Sequence, residues 1–382
     1  MRRTRLVVVL VGLVLAGCSG PGPSAGSSSG LPPAPEGQRL AGVCPETVVV
    51  QQNWEPEAEY AGVYALVGPG YTVDADRKRV SGPLVVGGRD TGVRIEIRAG
   101  GAAIGFGAIS AQMYLDRSIT LGMIGTDGAI KSSAGQPVTA VISQMAKSPQ
   151  IIMWDPASHP DWRTIADIGR SDATVVVQKD ALYAQLLVER GLLRADQIDQ
   201  GHTGSAVRFV ADPTIAEQGY ATAEPYVFQH EVPSWGKPVR YQLLSDVGFS
   251  IYPDALSVRT GDLPALAPCL RRLVPVLQRA QVDYMAAPGP VNRLIADLVT
   301  RYADGWSYSI GVADYATRVM REQGIVANDA SGPLGGMDPS RVQATIDTFA
   351  PVVARSGGRP KPGLTAADIA TNQFLDPSIR LP

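Results

Sequence analysis

Cysteine and histidine are scarce: the 382 residues hold three of each, and no pair stands at the spacing of metal ligands. That excludes a structural zinc or iron–sulfur centre, and no metal or other cofactor is expected. Lysine is scarcer than arginine, six against 28, and the formal net charge is −2. A broad basic face for nucleic acid is therefore not expected. No H-E-x-x-H metalloprotease signature occurs. The run Leu6–Leu15, unbroken but for Gly12, is about half the roughly 20 residues needed to span a bilayer. What is present is a chain with 45% hydrophobic residues, enough for a sizeable core, and a length that suits two or three domains or one two-lobed body.

The N-terminus reads as an address. Arg2, Arg3 and Arg5 precede the apolar run, and Leu15-Ala16-Gly17-Cys18 closes it. A basic stretch, a short apolar stretch and small residues make a secretory signal. The closing four residues resemble the bacterial lipobox, so residues 1–17 are expected to be removed and Cys18 to carry lipid. The protein is then extracytoplasmic and anchored to the cell membrane. Residues 18–42 are rich in Ser, Gly and Pro and are expected to form a flexible tether. Cys44 and Cys269 remain in the body. Outside the cytoplasm a disulfide between them is permitted, though the sequence leaves their pairing open.

Beyond the tether, strand and helix patterns alternate. Strands are expected over 47–52, 93–98, 119–124, 139–145, 150–154, 173–177 and 207–210. Helices are expected over 56–67, 104–115, 126–133 with Thr126 as N-cap, 164–168, 180–190, 213–218, 264–281 and 291–302. The tail after Gly332 reads as looser. The alternation indicates an α/β architecture with mostly parallel sheets flanked by helices. In such sheets ligands bind beyond the C-terminal ends of the strands.

The loops at those ends carry groups suited to a small polar organic molecule. Trp54 offers a stacking face, and Glu59 and Tyr60 an acceptor and a second ring. Gly125, Thr126 and Asp127 open a helix whose free N–H groups favour a polar ligand atom. Glu224, beside Tyr226, offers a carboxylate to a ligand amino group. Each has an ordinary alternative: a rim tryptophan, a solvated helix face, a plain helix cap.

The order of these motifs resembles a known family. Trp54-Glu55-Pro56 followed by Tyr60-Ala61-Gly62-Val63-Tyr64-Ala65 resembles the opening of the binding proteins related to thiamine-pyrimidine synthesis. These are relatives of the nitrate/sulfonate/taurine-type substrate-binding proteins of ABC importers. Gly70-Tyr71, the stretch Ile119–Asp127, the stretch Gly135–Val141 with Gln144 and Ser148-Pro149, Thr164–Ile168, and Ala223-Glu224-Pro225-Tyr226 follow in the family order. The chain departs from the pattern at Thr120-Leu121-Gly122, at Ala223, and at Tyr60, where the family's pyrimidine synthases have a histidine. An extra stretch lies between Gly70 and Val93.

The resemblance implies a two-lobed, type II periplasmic-binding-protein-like fold. It places lobe I at 43–145, lobe II at 146–240, and the completion of lobe I with C-terminal helices at 241–382. The chain crosses near 140–148 and returns near 220–245, with a ligand cleft between the lobes. It implies a monomeric, non-catalytic receptor that delivers a small solute to an ABC permease. The solute is expected to be a thiamine precursor, a pyrimidine or another planar heterocycle. A nitrate-, sulfonate- or taurine-type anion receptor, a pyrimidine-synthase-like enzyme and a sensory lipoprotein are the competing readings. The ligand residues it implies are Trp54, Glu59, Tyr60, Gly125, Thr126, Asp127, Ser148, Glu224 and Tyr226.

Overall fold

The structure is a computed structural model that describes residues 30–329 and 332–382. The expected signal segment and Cys18 lie outside the described residues. Among the described residues, no helix is long and apolar enough to cross a membrane.

Two sheets organise the chain. The first has seven strands: β1 (Thr47–Gln51), β2 (Thr72–Asp74), β3 (Arg79–Val86), β4 (Arg89–Arg98), β5 (Leu121–Ile124), β6 (Val138–Ser143) and β12 (Ala255–Arg259). The second has five: β7 (Gln150–Trp154), β8 (Val175–Val176), β9 (Ile198–Asp199), β10 (Ala216–Tyr220) and β11 (Arg240–Leu243). Their spatial orders are β2-β3-β4-β1-β5-β12-β6 and β11-β7-β10-β8-β9. The helices are α1 (Ala61–Tyr64), α2 (Ile109–Leu115), α3 (Thr126–Ser132), α4 (Ile165–Gly169), α5 (Leu182–Glu189), α6 (Val207–Ala211), α7 (Glu224–Tyr226), α8 (Leu263–Ala286), α9 (Gly289–Tyr302), α10 (Ile310–Glu322), α11 (Pro339–Arg355) and α12 (Ala366–Ile369).

This is the expected two-lobed α/β class, with a smaller parallel share. Among the strands of the described residues, parallel pairing is confined to β4–β1–β5 and to β10–β8–β9. The stretch that looked like an insertion, 70–93, folds into an antiparallel β2–β3–β4 meander. The antiparallel return strand β12 is inserted between β5 and β6, and β6 forms the first sheet's other edge. The chain passes between the sheets twice, at 144–149 and at 244–254. The return comes later than expected because Arg240–Leu243 still pairs with β7.

Several local expectations are corrected. Residues 207–210 form helix α6 instead of a strand, with Phe209 turned onto Phe228 and Trp235, each 5.0 Å away between ring centres. A short apolar run does not distinguish helix from strand, and burial of a single side chain suits one helical turn. Residues 216–218, expected at the end of a helix, belong to strand β10 (Ala216–Tyr220), held between β7 and β8. Its buried polar side chains find partners: Glu217 Oε1 accepts from His202 at 2.9 Å, with Oε2 left unpaired, and Gln218 accepts from the Gln178 N–H at 2.9 Å. The helix expected over 56–67 contracts to a 3₁₀ turn, Ala58–Tyr60, and α1.

The expected tether is partly ordered. Pro32, Ala34 and Leu40 exchange backbone hydrogen bonds with Asp90 and Thr91 at 2.7–2.9 Å, and Ala34 and Leu40 are fully buried. The open start of β4 supplies the partners that a Pro/Gly-rich segment cannot supply for itself. Cys44 is bonded to Cys269 in α8, tying this arm to the core.

The tail is not loose either. Helix α11 packs on α3 beside the first sheet and on α5 beside the second. Arg355 pairs with Glu189 of α5. Near its other end Arg341 grips both crossings. Its Nη1 donates to the Ala146 carbonyl at 2.6 Å, its Nη2 to Ile251 at 2.6 Å, and its Nε to Ser250 at 3.0 Å. The same guanidinium lies 3.9 Å over the Tyr252 ring.

Candidate functional site

Strand register builds the site. Parallel pairing of β1 with β5 sets Val50 beside Leu121, so Asn53 emerges near the end of β5. Antiparallel pairing of β5 with β12 sets Ile124 opposite Ala255, so Asp254 faces Gly125, two residues from Asp127. Asn53 Nδ2 donates to Asp254 Oδ1 across this junction. Asp254 holds a positive φ of 51°, a conformation that Asp and Asn tolerate better than most residues. From the second sheet, β10 ends at Tyr220 and leads to Thr222 and Glu224. Glu224 Oε2 accepts from the Tyr220 N–H at 2.6 Å.

Carboxylates meet at this junction. The charges acting most on Glu57 are Glu59, Asp254 and Glu224, and those on Asp254 are Glu59 and Asp127. Burial raises the Asp254 carboxyl to about 7 against the Asn53 hydrogen bond, with Glu59 and Asp127 adding to the rise. Burial lifts Glu224 to about 6, opposed by the Tyr220 N–H and by His202. Burial, then the Glu59 charge, holds Glu57 well above the usual carboxylate range. Glu59 is raised by burial and partly relieved by the Thr222 and Tyr308 hydroxyls. Asp127 is raised by burial despite Lys131. Desolvation and like charges both disfavour the ionised forms.

Polar atoms at the junction lack protein partners. Asn53 Oδ1 and Glu59 Oε2 are unpaired there, and Gln52, next to Asn53 in the chain, is fully buried with both amide atoms unpaired. Groups buried without a partner are uncommon and ask for an explanation. A cavity of about 210 Å³ opens beside Asp127, lined from α3 by Gly128 and Lys131 and from the second sheet's side by Gln178, Lys179 and Tyr183.

The structure therefore brings together Glu59, Tyr60, Asp127 and Glu224, all expected, with Gly125 opposite Asp254. Tyr60 is buried, and its hydroxyl reaches Glu57. Four other expected residues are engaged elsewhere. Trp54 stacks on Gly101 beside Phe106 and Trp306, both with ring centres 5.8 Å away. Thr126 is not an N-cap, since Gly125 holds that position. Its N–H donates to the Tyr252 carbonyl at 3.0 Å and its hydroxyl accepts from the Tyr252 N–H at 3.1 Å, clasping the returning chain. Ser148 accepts from the Gln150 N–H at 3.3 Å within the first crossing. Tyr226 packs on His230 and Tyr315, with ring centres at 4.6 and 5.5 Å.

Glu57 and Asp254 are the acids that sequence reasoning missed. Glu57 had a signal: Glu55, Glu57 and Glu59 alternate immediately after a strand. Asp254 had none, because only the β5–β12 register carries it to the site.

No family model matches the chain, and no curated protein matches it. Solved structures do. The periplasmic aliphatic sulphonate binding protein SsuA of Escherichia coli aligns at 14% identity over 87% of this chain and 93% of its own, with a TM-score of 0.54. The ligand binding component of an ABC-type import system from Staphylococcus aureus aligns at 12% identity over 87% and 99%, TM-score 0.52. The periplasmic nitrate-binding protein NrtA of Synechocystis PCC 6803 aligns at 11% identity over 86% and 87%, TM-score 0.51. The chain thus has the two-lobed periplasmic-binding-protein fold.

Proposed function

We propose that the protein is an extracytoplasmic solute-binding receptor, lipid-anchored through Cys18, that hands a small organic solute to the permease of an ABC importer. The observation that carries this reading is the set of unpaired buried polar atoms where loops of the two sheets meet. A cleft between two lobes joined by two crossings encloses a ligand that completes those hydrogen bonds. The fold shared with import-system binding proteins and the lipobox-like Leu15–Cys18 support it. The reading is non-catalytic. Among the described residues, His159 stacks on Trp162, His202 bonds Glu217 and His230 packs on Tyr226, so each ring is occupied structurally.

Small-angle scattering tests the receptor reading. A solute that raises the melting temperature should also reduce the radius of gyration, as the lobes close on it. A stabilising solute that leaves the radius unchanged counts against closure. Anchoring is tested by Cys18→Ala, which should move the protein from the membrane to a soluble extracytoplasmic fraction; full membrane retention would refute it.

Thermal-shift screening then ranks solute classes. Planar heterocycles follow from the opening motif. Anions have a claim through the sulphonate- and nitrate-binding neighbours, but a buried anion beside Glu57, Glu59 and Asp254 adds like charge to like charge.

A further inference from the structure

We infer that the solute is a small organic cation, carrying a protonated amine or amidinium that is held between the carboxylates of Glu57, Glu59 and Asp254 on one side and Glu224 on the other. This rests on the receptor reading and narrows its substrate class.

Three separate stretches bring the acids together. Glu57 and Glu59 follow β1, Asp254 precedes β12 and Glu224 follows β10, so their meeting is set by tertiary structure and not by a local acidic run. They also sit where the protein leaves polar groups unsatisfied: Glu59 is 2% exposed with Oε2 unpaired, and Asn53, which donates to Asp254, has its own Oδ1 unpaired. Some acids elsewhere in the chain are paired with cations, whereas Glu55 is buried with neither carboxylate oxygen paired. Asp155 accepts from Lys237 at 2.8 Å, and Asp116 accepts from Arg98 at 2.7 Å. At the junction the charged groups acting most on Glu57 are other carboxylates. The nearby cations, Lys131 and His202, act on its outer members, Asp127 and Glu224.

An ammonium or amidinium supplies what this arrangement lacks. It brings positive charge and several N–H donors, and carboxylates and amide oxygens accept all of them. A nitrate or sulfonate brings acceptors and negative charge, which match neither need. A neutral aminoheterocycle supplies donors but leaves the charges unbalanced.

The test uses the purified chain and three probe sets at pH 7.5. The cations are putrescine, agmatine and histamine; the anions are nitrate and ethanesulfonate; the neutral ring is 2-aminopyrimidine. Thermal shift and calorimetry should show saturable binding of at least one cation. Glu57→Gln and Asp254→Asn should each weaken it tenfold or more while retaining the wild-type circular dichroism. Cation binding that survives both substitutions unchanged is adventitious and overturns the inference. Binding confined to the anions or to 2-aminopyrimidine, with compaction in scattering, also overturns it and leaves the receptor reading standing. Failure of all probes overturns the cation assignment, and the receptor reading is then judged by the wider solute screen.

Discussion

The ligand-free protein should be less stable at pH 8 than at pH 5, by on the order of 3–6 kcal/mol. The cause is a set of carboxyls, buried to differing depths, whose folded pKa values exceed their ordinary ones. Burial takes Asp254 from 3.8 to about 7, Glu55 from 4.5 to about 7 with Asp304 adding to it, and Glu224 from 4.5 to about 6. Over this window the folded state binds more protons than the unfolded one, so stability falls as pH rises. The favourable contribution is fully present below the unfolded pKa and is lost through the folded pKa. Asp116, lowered to about 2 by Ser118 and Arg98, titrates outside this range. Asp254→Asn should recover about 2 kcal/mol at pH 8 and flatten the pH profile. Asparagine suits the positive φ at this position, and its side-chain oxygen still accepts from Asn53. Denaturant unfolding of wild type and variant at pH 5, 6, 7 and 8 measures both effects. A wild-type profile that is flat or rises toward pH 8 would show that the acids do not meet as described.

Breaking the Cys44–Cys269 bridge should cost about 3–5 kcal/mol. The two residues are 225 apart in sequence, so the bond closes a long loop in the unfolded chain and removes much of its freedom. In the folded state it fixes the arm of residues 30–44 to α8 at Cys269, a buried position. Cys44→Ser/Cys269→Ser should unfold at markedly lower guanidinium than the oxidised wild type, and reductant should shift the wild type toward the variant. Equal midpoints with and without reductant would contradict this. Such a bond suits an oxidising compartment, in keeping with the proposed location.

What the sequence discloses and what it hides follow from the range of the interactions. The β-branched run of β1 and the apolar run of β7 are readable because burial on both faces demands them. Thr164 and Asp167 announce α4 through a capping box, a contact three residues long. The exchange of helix and strand at α6 and β10 is decided elsewhere, by Trp154 opposite Ala216 and by the rings beneath Phe209. Helix α11 was lost among the prolines and glycines of the tail because its stability comes from packing on α3 and α5. The site divides in the same way. Glu59, Tyr60, Asp127 and Glu224 stand directly after strands and follow from the rule about strand ends. Asp254 stands before a strand, and antiparallel register brings it to the same place.

The guanidinium of Arg341 sets which way the lobes can move. Its N–H directions are fixed in one plane, and three of them are committed to carbonyls on two different crossings. Sliding one crossing along the other would pull Ala146 away from Ser250 and Ile251 and break the fork. Bending both together about a line through the guanidinium leaves every bond in place. The joint is therefore stiff to shear between the crossings, and because α11 also rests on α3 and α5, the proposed closure requires α11 to ride with one lobe and Arg355 and Glu189 to travel together or part.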